Sequence, residues 1–126
     1  MVGEGWQVRV ALLLSSDDAV LLARRSGREL WEVPEASLPP GEDPEVRVRT
    51  VAKEQLGLDL PWVELVWAEV RKAGEASTLV LHYSGEASDY PQPGEGWAEV
   101  RFFQVEHLPP LSEEDRQAIY RTLTGG

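Results

Sequence analysis

The sequence has 126 residues and no cysteine, which excludes disulfide bonds, thiolate metal ligands and a cysteine nucleophile. It also has no long hydrophobic run, since the longest, VALLL at residues 10–14, is far too short to span a bilayer. That run lacks the basic lead-in and the small-residue cleavage site of a signal peptide. We therefore expect a soluble cytoplasmic protein that forms one domain over residues 1–126 and has no membrane partner.

Positive charge is scarce as well. Lysine and arginine together number 12 against 22 acidic residues, so the formal net charge is −10. Such a surface repels phosphate backbones at long range, and duplex DNA or RNA is therefore a poor candidate partner. A small phosphorylated ligand stays compatible with this charge, because a bound divalent metal or a local arginine cluster reverses the field inside one pocket.

The hydrophobic pattern predicts an α+β domain with a mixed sheet. Two apolar runs around the polar turn at residues 15–18 are typical of a β-hairpin. The first predicted elements are a hairpin over residues 6–23, a loop at 26–34 and a helix at 44–56. Strands follow at 62–70 and 77–83, then a loop at 88–96 and a third strand at 97–105. The last element is a helix that opens at Ser112 and ends at Gly125-Gly126.

The helix at residues 44–56 has the clearest signals. Asp43 suits the N-cap, Pro44 the first helical position, and Gly57 the C-terminal stop. Its apolar residues recur at spacings of three and four, which predicts one core-facing side. These residues are Val48, Val51, Ala52 and Leu56.

Two further patterns predict which residues share a face. In the strand at residues 62–70, a period of two places Leu65 and Trp67 on the same side of the sheet. In the last helix, Leu123 is predicted to share an apolar stripe with Ala118 and Ile119.

The segment from Trp31 to Leu58, WEVPEASLPPGEDPEVRVRTVAKEQLGL, resembles the signature of the Nudix (MutT-like) hydrolase superfamily together with its lead-in. The family's box is Gly, five residues, Glu, seven residues, then Arg-Glu-U-x-Glu-Glu-x-Gly-U, where U is aliphatic. Here the box covers about residues 36–58. The matching residues are Trp31, Val33, Pro34, Gly41, Glu42, Ala52, Glu54, Gly57 and Leu58. The resemblance implies the Nudix fold, a mixed β-sheet sandwiched between helices (α/β/α).

The box also departs from the family pattern. Glu35 and Ala36 replace two glycines, Thr50 replaces the arginine, and Val51 and Gln55 replace two of the three helix glutamates. In the family these glutamates bind divalent metal, which activates water and stabilises the charge on a diphosphate.

Two carboxylates of the box remain. The resemblance makes Glu42 and Glu54 the candidate catalytic residues and the candidate ligands of Mg²⁺ or Mn²⁺. Each also has a plain structural interpretation: Glu54 as a solvated helix residue and Glu42 as a loop or capping residue. If Val51 packs in the core and Gln55 borders it, the helix is used for packing rather than for chemistry.

Arginines near the box suggest a different kind of site. Arg24, Arg25 and Arg28 follow the second strand, and Arg47 precedes Val51 by one helical turn. Guanidinium groups suit phosphate, so Arg24, Arg28 and Arg47 are candidate ligand-binding residues, with Trp31 as a base-stacking candidate. The simpler alternative is that these arginines are charged residues of loops and solvated faces.

Two functions therefore stay open. The first is a hydrolase, weak or inactive because of its degraded box, that cleaves a diphosphate linkage in a nucleotide derivative with Mg²⁺ or Mn²⁺. The second is a non-catalytic module that needs no cofactor and binds a nucleotide-like ligand or another protein. A homodimer, as in the family, is compatible with both.

Overall fold

The computed structural model describes residues 6–87, 89–94 and 96–124. Its elements are β1 (Trp6–Ser16), β2 (Ala19–Arg24), β3 (Trp31–Glu32), β4 (Glu35–Ser37), α1 (Pro44–Leu56), β5 (Val63–Ala73), β6 (Ala76–Glu86), β7 (Glu99–Gln104), a 3₁₀ turn (Val105–His107) and α2 (Glu113–Thr124). The predicted α+β class and mixed sheet are confirmed, and so is the β1–β2 hairpin. Gly125 and Gly126, predicted to end α2, and Ser88 and Glu95 of the predicted loop lie outside the described residues.

Strand β1 is the centre of the sheet, and both of its faces are buried. Val10, Leu12 and Leu14 point toward α1 and belong to one hydrophobic cluster with that helix. Ala11 and Leu13 point to the opposite face and pack in a second cluster on the α2 side. An unbroken apolar run is what a strand covered on both faces requires.

The sheet has the order β3-β2-β1-β6-β5. Strand β1 runs parallel to β6, from the pair Trp6–Ser77 to the pair Ser15–Glu86. The other edge of β1 is shared, because β4 pairs with its middle and β2 with its end. Strand β7 pairs with β2. The box segment thus leaves the sheet at β4 and enters α1 through the turn at residues 38–43.

Helix α1 begins and ends where the sequence predicts. The Asp43 side chain accepts a hydrogen bond of 2.8 Å from the Glu45 amide, and Gly57 adopts φ +67° after the last turn. The Gly57 amide donates to the Lys53 carbonyl at 3.1 Å, and the Leu58 amide donates to the Ala52 carbonyl at 3.0 Å. These bonds satisfy carbonyls that a helix end leaves unpaired.

A second segment also caps this end of α1. The Gln92 amide donates to the Leu56 carbonyl at 2.9 Å, and the Gly94 amide donates to the Gln55 carbonyl at 2.8 Å. A Cβ at position 94 would lie 1.9 Å from the Glu54 carbonyl oxygen, so only glycine permits this approach. Gln92 and Gly94 therefore lie directly on the end of the box helix.

Three details differ from the sequence predictions. Trp67 and Leu65 lie on opposite faces of the sheet, because a β-bulge shifts the β5–β6 register between them. Leu123 is 45% exposed, and Thr122 is buried instead because its hydroxyl accepts a hydrogen bond from Trp67 Nε1 at 3.0 Å. The predicted loop at residues 26–34 contains β3, which pairs with the end of β2.

No helix within the described ranges is long and apolar enough to cross a membrane.

We predict that Gly94→Ala lowers the free energy of unfolding by about 2 kcal/mol or more, since the added Cβ would overlap the α1 backbone. Urea unfolding measures the loss, and hydrogen exchange should locate it at the end of α1. The neighbouring exposed variant Gln92→Ala keeps its backbone donor and should change stability by less than about 0.5 kcal/mol. Equal effects of the two variants would contradict the close approach of the loop to α1.

Candidate ligand site and the box helix

Position 51, where the family's box has its first helix glutamate, is part of the hydrophobic core. Val51 is 3% exposed and packs in the α1-side cluster with Leu12, Leu56 and Tyr83. Its place on the helix face matches the predicted apolar stripe. A carboxylate here would be removed from water with no counter-charge in the cluster, whose members are all apolar or aromatic.

Position 55, where the family's box has its third helix glutamate, also has a structural role. Gln55 Oε1 accepts a hydrogen bond of 2.9 Å from Trp97 Nε1, while its backbone carbonyl accepts the bond from Gly94. The side chain of Gln55 thus holds Trp97, and its main chain holds Gly94. The Thr50 hydroxyl, at the arginine position, donates to the Val46 carbonyl at 3.0 Å, within the helix.

The two remaining box glutamates lie toward opposite ends of α1. Glu54 is exposed in the last turns of α1, and Glu42 is half-buried in the turn that precedes the helix. The helical rise of 1.5 Å per residue places Pro44 and Glu54 about 15 Å apart along the axis. Among the described residues, no group of three histidine, aspartate or glutamate side chains could hold a metal ion. The donor set therefore does not fit a metal centre built from several carboxylates.

A cavity of about 440 Å³ lies between the β2–β3 connection and the start of α2. It brings together two of the predicted ligand-binding residues, Arg28 and Trp31. The residues that line it are Arg25, Arg28, Glu29, Leu30, Trp31, Glu32, Ser112 and Asp115. Both cationic and acidic groups face this cavity, so it offers donors for phosphate and acceptors for hydroxyl or amino groups.

The other two predicted ligand-binding arginines lie outside the lining of this cavity. Arg24 Nη2 contacts Glu99 at 3.0 Å, and its Nη1 donates to the Arg28 carbonyl at 3.0 Å. Arg47 Nε donates to the Ser37 carbonyl at 2.9 Å, between α1 and β4. Both guanidinium groups are thus engaged in holding the backbone of the surrounding loops and strands.

Arg25 links the cavity to the box helix. Its guanidinium lies 4.3 Å from the centre of the Trp97 ring, a cation–π contact, and 3.3 Å from the Glu32 carboxylate. Because Trp97 is bonded to Gln55, the chain of contacts runs from α1 through Trp97 and Arg25 into the cavity wall.

Asp115 is a site residue that the sequence does not single out. Burial raises its pKa from the usual 3.8 to about 6, although the hydrogen bond that it accepts from the Val33 amide at 3.3 Å acts in the opposite direction. Nearby Glu35 raises the pKa further. In the sequence, Asp115 is one of three acidic residues in the first turn of α2, and only burial distinguishes it from its neighbours.

A second unpredicted group surrounds Glu35, which replaces a glycine that commonly leads into the box. Its carboxylate contacts Arg9 Nε at 2.8 Å and Arg71 Nη1 at 3.3 Å. On the same face of the sheet, His82 is fully buried and stacks on Trp67, with ring centres 4.0 Å apart. Burial lowers the pKa of His82. These partners come from strands far apart in sequence, so no local pattern signals them.

We predict that the stability of the wild type falls as the pH rises through about 6, because the neutral form of Asp115 is favoured only in the folded state. The stabilisation is complete below the unfolded pKa of 3.8 and is lost above about 6. Asp115→Asn keeps an acceptor for Val33, so above pH 6 it should be more stable than the wild type by about 1–2 kcal/mol, a value discounted for partial exposure. Toward pH 4 the difference should vanish.

Thermal unfolding across this pH range measures the difference. Glu113→Gln removes an exposed charge from the same helical turn and serves as the control. A constant difference between Asp115→Asn and the wild type from pH 4 to pH 8 would refute the assignment.

Comparison with known proteins gives a partial sequence match and extensive structural matches. No family model matches this chain. A segment of 64 residues is 33% identical to the RNA pyrophosphohydrolase of Methylococcus capsulatus, and the match covers 50% of this chain and 34% of that protein. The chain thus aligns with only about a third of that relative's length.

The structural matches extend over nearly the whole chain. The MutT NUDIX hydrolase from Burkholderia pseudomallei superposes with a TM-score of 0.80 at 23% identity, over 93% of this chain and 98% of that one. The NUDIX domain of Shewanella oneidensis NrtR, solved in complex with ADP ribose, superposes with a TM-score of 0.76 at 18% identity, over 98% of this chain and 89% of that one. The mixed sheet between two helices and these superpositions confirm the resemblance carried by the box: this chain has the fold of the Nudix (MutT-like) hydrolase superfamily.

Proposed function

We propose that this chain is a Nudix-fold module that binds a small phosphorylated, nucleotide-like ligand and hydrolyses it weakly or not at all. One observation carries the proposal: two of the three box positions for helix glutamates are committed to structure. Val51 fills the core, and Gln55 holds Trp97. The helix is left with Glu54 as its single box carboxylate.

The cavity beside α2 is the proposed ligand site. Arg28 and Arg25 supply guanidinium groups for phosphate oxygens, whereas Asp115 and Glu32 supply acceptors for the hydroxyl or amino groups of a nucleoside. A volume of about 440 Å³ is within the range of small-molecule sites. The NrtR domain with bound ADP ribose supports a ligand of this class on the same fold.

Metal-dependent chemistry has little support from the donor set. A magnesium ion requires several oxygen ligands and commonly takes one or two carboxylates, with water and phosphate completing the shell. Glu54 is the exposed carboxylate that we propose would hold Mg²⁺ or Mn²⁺ together with the phosphates of a ligand. Glu42 precedes the first residue of α1, at the opposite end of the helix.

Weak hydrolysis is the second candidate function. It is favoured by the partial similarity to an RNA pyrophosphohydrolase and by the accessibility of Glu54. The net charge of −10 argues against strong binding of an RNA backbone, so a small nucleotide derivative is the preferred substrate class. The single domain over residues 1–126 and the cytoplasmic location stay predictions from the sequence.

We predict no turnover dependent on Mg²⁺ or Mn²⁺ when the wild type is incubated with ADP-ribose, with a nucleoside triphosphate or with an RNA oligonucleotide carrying a 5′-triphosphate. Chromatography of the products measures hydrolysis. Gln55→Glu keeps an acceptor for Trp97 and restores one carboxylate, and Val51→Glu/Gln55→Glu restores both. Because Val51→Glu places a charge in the core, circular dichroism must first establish that the double variant folds.

The outcomes separate the two candidate functions. Metal-dependent turnover by the wild type that disappears in Glu54→Gln would overturn the non-catalytic proposal. Turnover that appears only after Gln55→Glu or the double substitution would support it, since the scaffold would then lack only its carboxylates.

We predict that ADP-ribose binds the wild type without added metal and that Arg28→Ala weakens this binding about tenfold, through the loss of one charge-assisted hydrogen bond. Isothermal titration calorimetry gives the affinities. Lys53→Ala removes a positive charge from an exposed position outside the cavity, where Lys53 contacts Asp59, and should leave the affinity unchanged. An equal loss in both variants would indicate a nonspecific charge effect and would rule out the proposed site.

A further inference from the structure

A further cavity lies beside the turn that leads into α1. Its volume is about 530 Å³, which is within the range of small-molecule sites, and it shares no lining residue with the cavity at Arg28. The lining comes from the start of β1 and from the stretch between β4 and α1. These residues are Trp6, Gln7, Val8, Ser37, Leu38, Pro39, Pro40, Gly41 and Glu42.

One wall of this cavity is an apolar row on β1. Side chains alternate along a strand, so Trp6 and Val8 point to the same face as Val10, and the pairing of β1 with β6 is regular over this stretch. Val10 is 1% exposed in the cluster with α1, whereas Trp6 is 41% exposed. The row is therefore covered by the helix at Val10 and open at Trp6. An open indole offers a ligand both apolar area and a ring face that attracts cations.

The other wall is a turn that the chain's own bonds hold in place. The Glu42 amide donates to the Pro39 carbonyl at 3.2 Å, and Gly41 has φ +82°, which is typical of a type II turn with proline before the glycine. The Leu38 amide donates to the Val8 carbonyl at 2.9 Å and so fixes the turn to β1. A wall fixed in this way lowers the ordering cost of binding.

Glu42 is the one charged residue among the described residues that line this cavity. Two arginines contact Ser37 at its border, but their Nε atoms are directed elsewhere. Arg47 Nε donates to the Ser37 carbonyl at 2.9 Å, and Arg9 Nε donates to Glu35 at 2.8 Å. The net charge of −10 adds a field that attracts cations and repels anions. The cavity thus combines apolar walls with a single negative group.

From these observations we infer that the cavity beside the α1 turn binds a small aromatic cation, whose ring lies against Trp6 and the prolines and whose positive charge is held by Glu42. Burial of the ring, a cation–π contact with Trp6 and a charge-assisted contact with Glu42 act together. The inference gives Glu42 a ligand-binding role that the box resemblance does not assign. It concerns a site distinct from the cavity at Arg28 and goes beyond the proposed function.

Isothermal titration calorimetry with N-methylquinolinium, a flat ring system with a permanent positive charge, tests the inference. Quinoline, which is neutral at neutral pH, is the matched ligand without the charge. We expect the wild type to bind the cation about tenfold more tightly than quinoline, through the contacts with Glu42 and Trp6. Equal affinities for the two ligands would overturn the cationic ligand class, and absence of binding would overturn the site.

Two pairs of variants separate the contributions of Glu42 and Trp6. Glu42→Gln should abolish the preference for the cation, whereas Glu45→Gln removes a nearby exposed charge outside the lining and should keep it. Trp6→Leu should weaken the binding of both ligands about fivefold, whereas Trp62→Leu should not, although Trp62 is 44% exposed. Thermal unfolding establishes that the four variants fold. Equal effects within either pair would indicate nonspecific binding to acidic or indole groups and would refute the site.

Heteronuclear NMR locates the bound cation. Chemical-shift changes should centre on the Trp6 indole and on the amides of Leu38 and Gly41. Changes centred on Arg28 would place the cation in the other cavity and would contradict the assignment. A neutral proline-rich peptide that binds this cavity more tightly than N-methylquinolinium would mark it as a peptide groove and would likewise overturn the proposed ligand class.

Discussion

The packing of one face of α1 against β1 is the constraint on which the rest of the structure depends. Val48, Val51, Ala52 and Leu56 share a cluster with the β1 side chains that point the same way. Full burial of a valine or leucine side chain contributes about 1.5–3 kcal/mol, whereas a buried unpaired carboxylate costs several. A valine at position 51 therefore strengthens the contact between helix and sheet. The same substitution removes a group that could bind a cation, so stability and metal chemistry compete for one position of the box.

Position 55, the other altered glutamate position of the box, exchanges a metal ligand for a structural contact. Gln55 links α1 to Trp97, Trp97 lies beneath Arg25, and Arg25 contacts Glu32 in the wall of the ligand cavity. In a metal-dependent site, a cation would organise this region by drawing carboxylates together. Here a hydrogen bond, a cation–π contact and an ion pair between side chains organise it directly. Contacts already formed around the proposed ligand cavity would lower the ordering cost of binding there.

Much of the fold was predictable because its signals are local. The ends of α1 follow from Asp43, Pro44 and Gly57, and the buried run in β1 follows from its composition. The spacing of apolar residues by three and four also placed Val51 correctly on the core face. The faces of β5 were not predictable, because a β-bulge leaves no signal in a period-two sequence pattern and moved Trp67 to the opposite side of the sheet.

The raised pKa of Asp115 and the partners of Glu35 depend on residues brought together only by the complete sheet. Predicted Arg24 and Arg47 had suitable chemistry, but their geometry directs them to backbone carbonyls.

The parallel pairing of β1 with β6 has a consequence for the order of events during synthesis. Trp6 pairs with Ser77, and Ser15 with Glu86, so the central strand finds its long partner only after most of the chain has been made. The cap on α1 from Gln92 and Gly94 comes later still. Until then β1 lacks its partner along one edge, and its α2-side face stays uncovered until α2 is made. Contacts so distant in sequence slow folding, because a large loop must close before they form. The emerging chain therefore passes through an interval in which its most hydrophobic strand is its most vulnerable one.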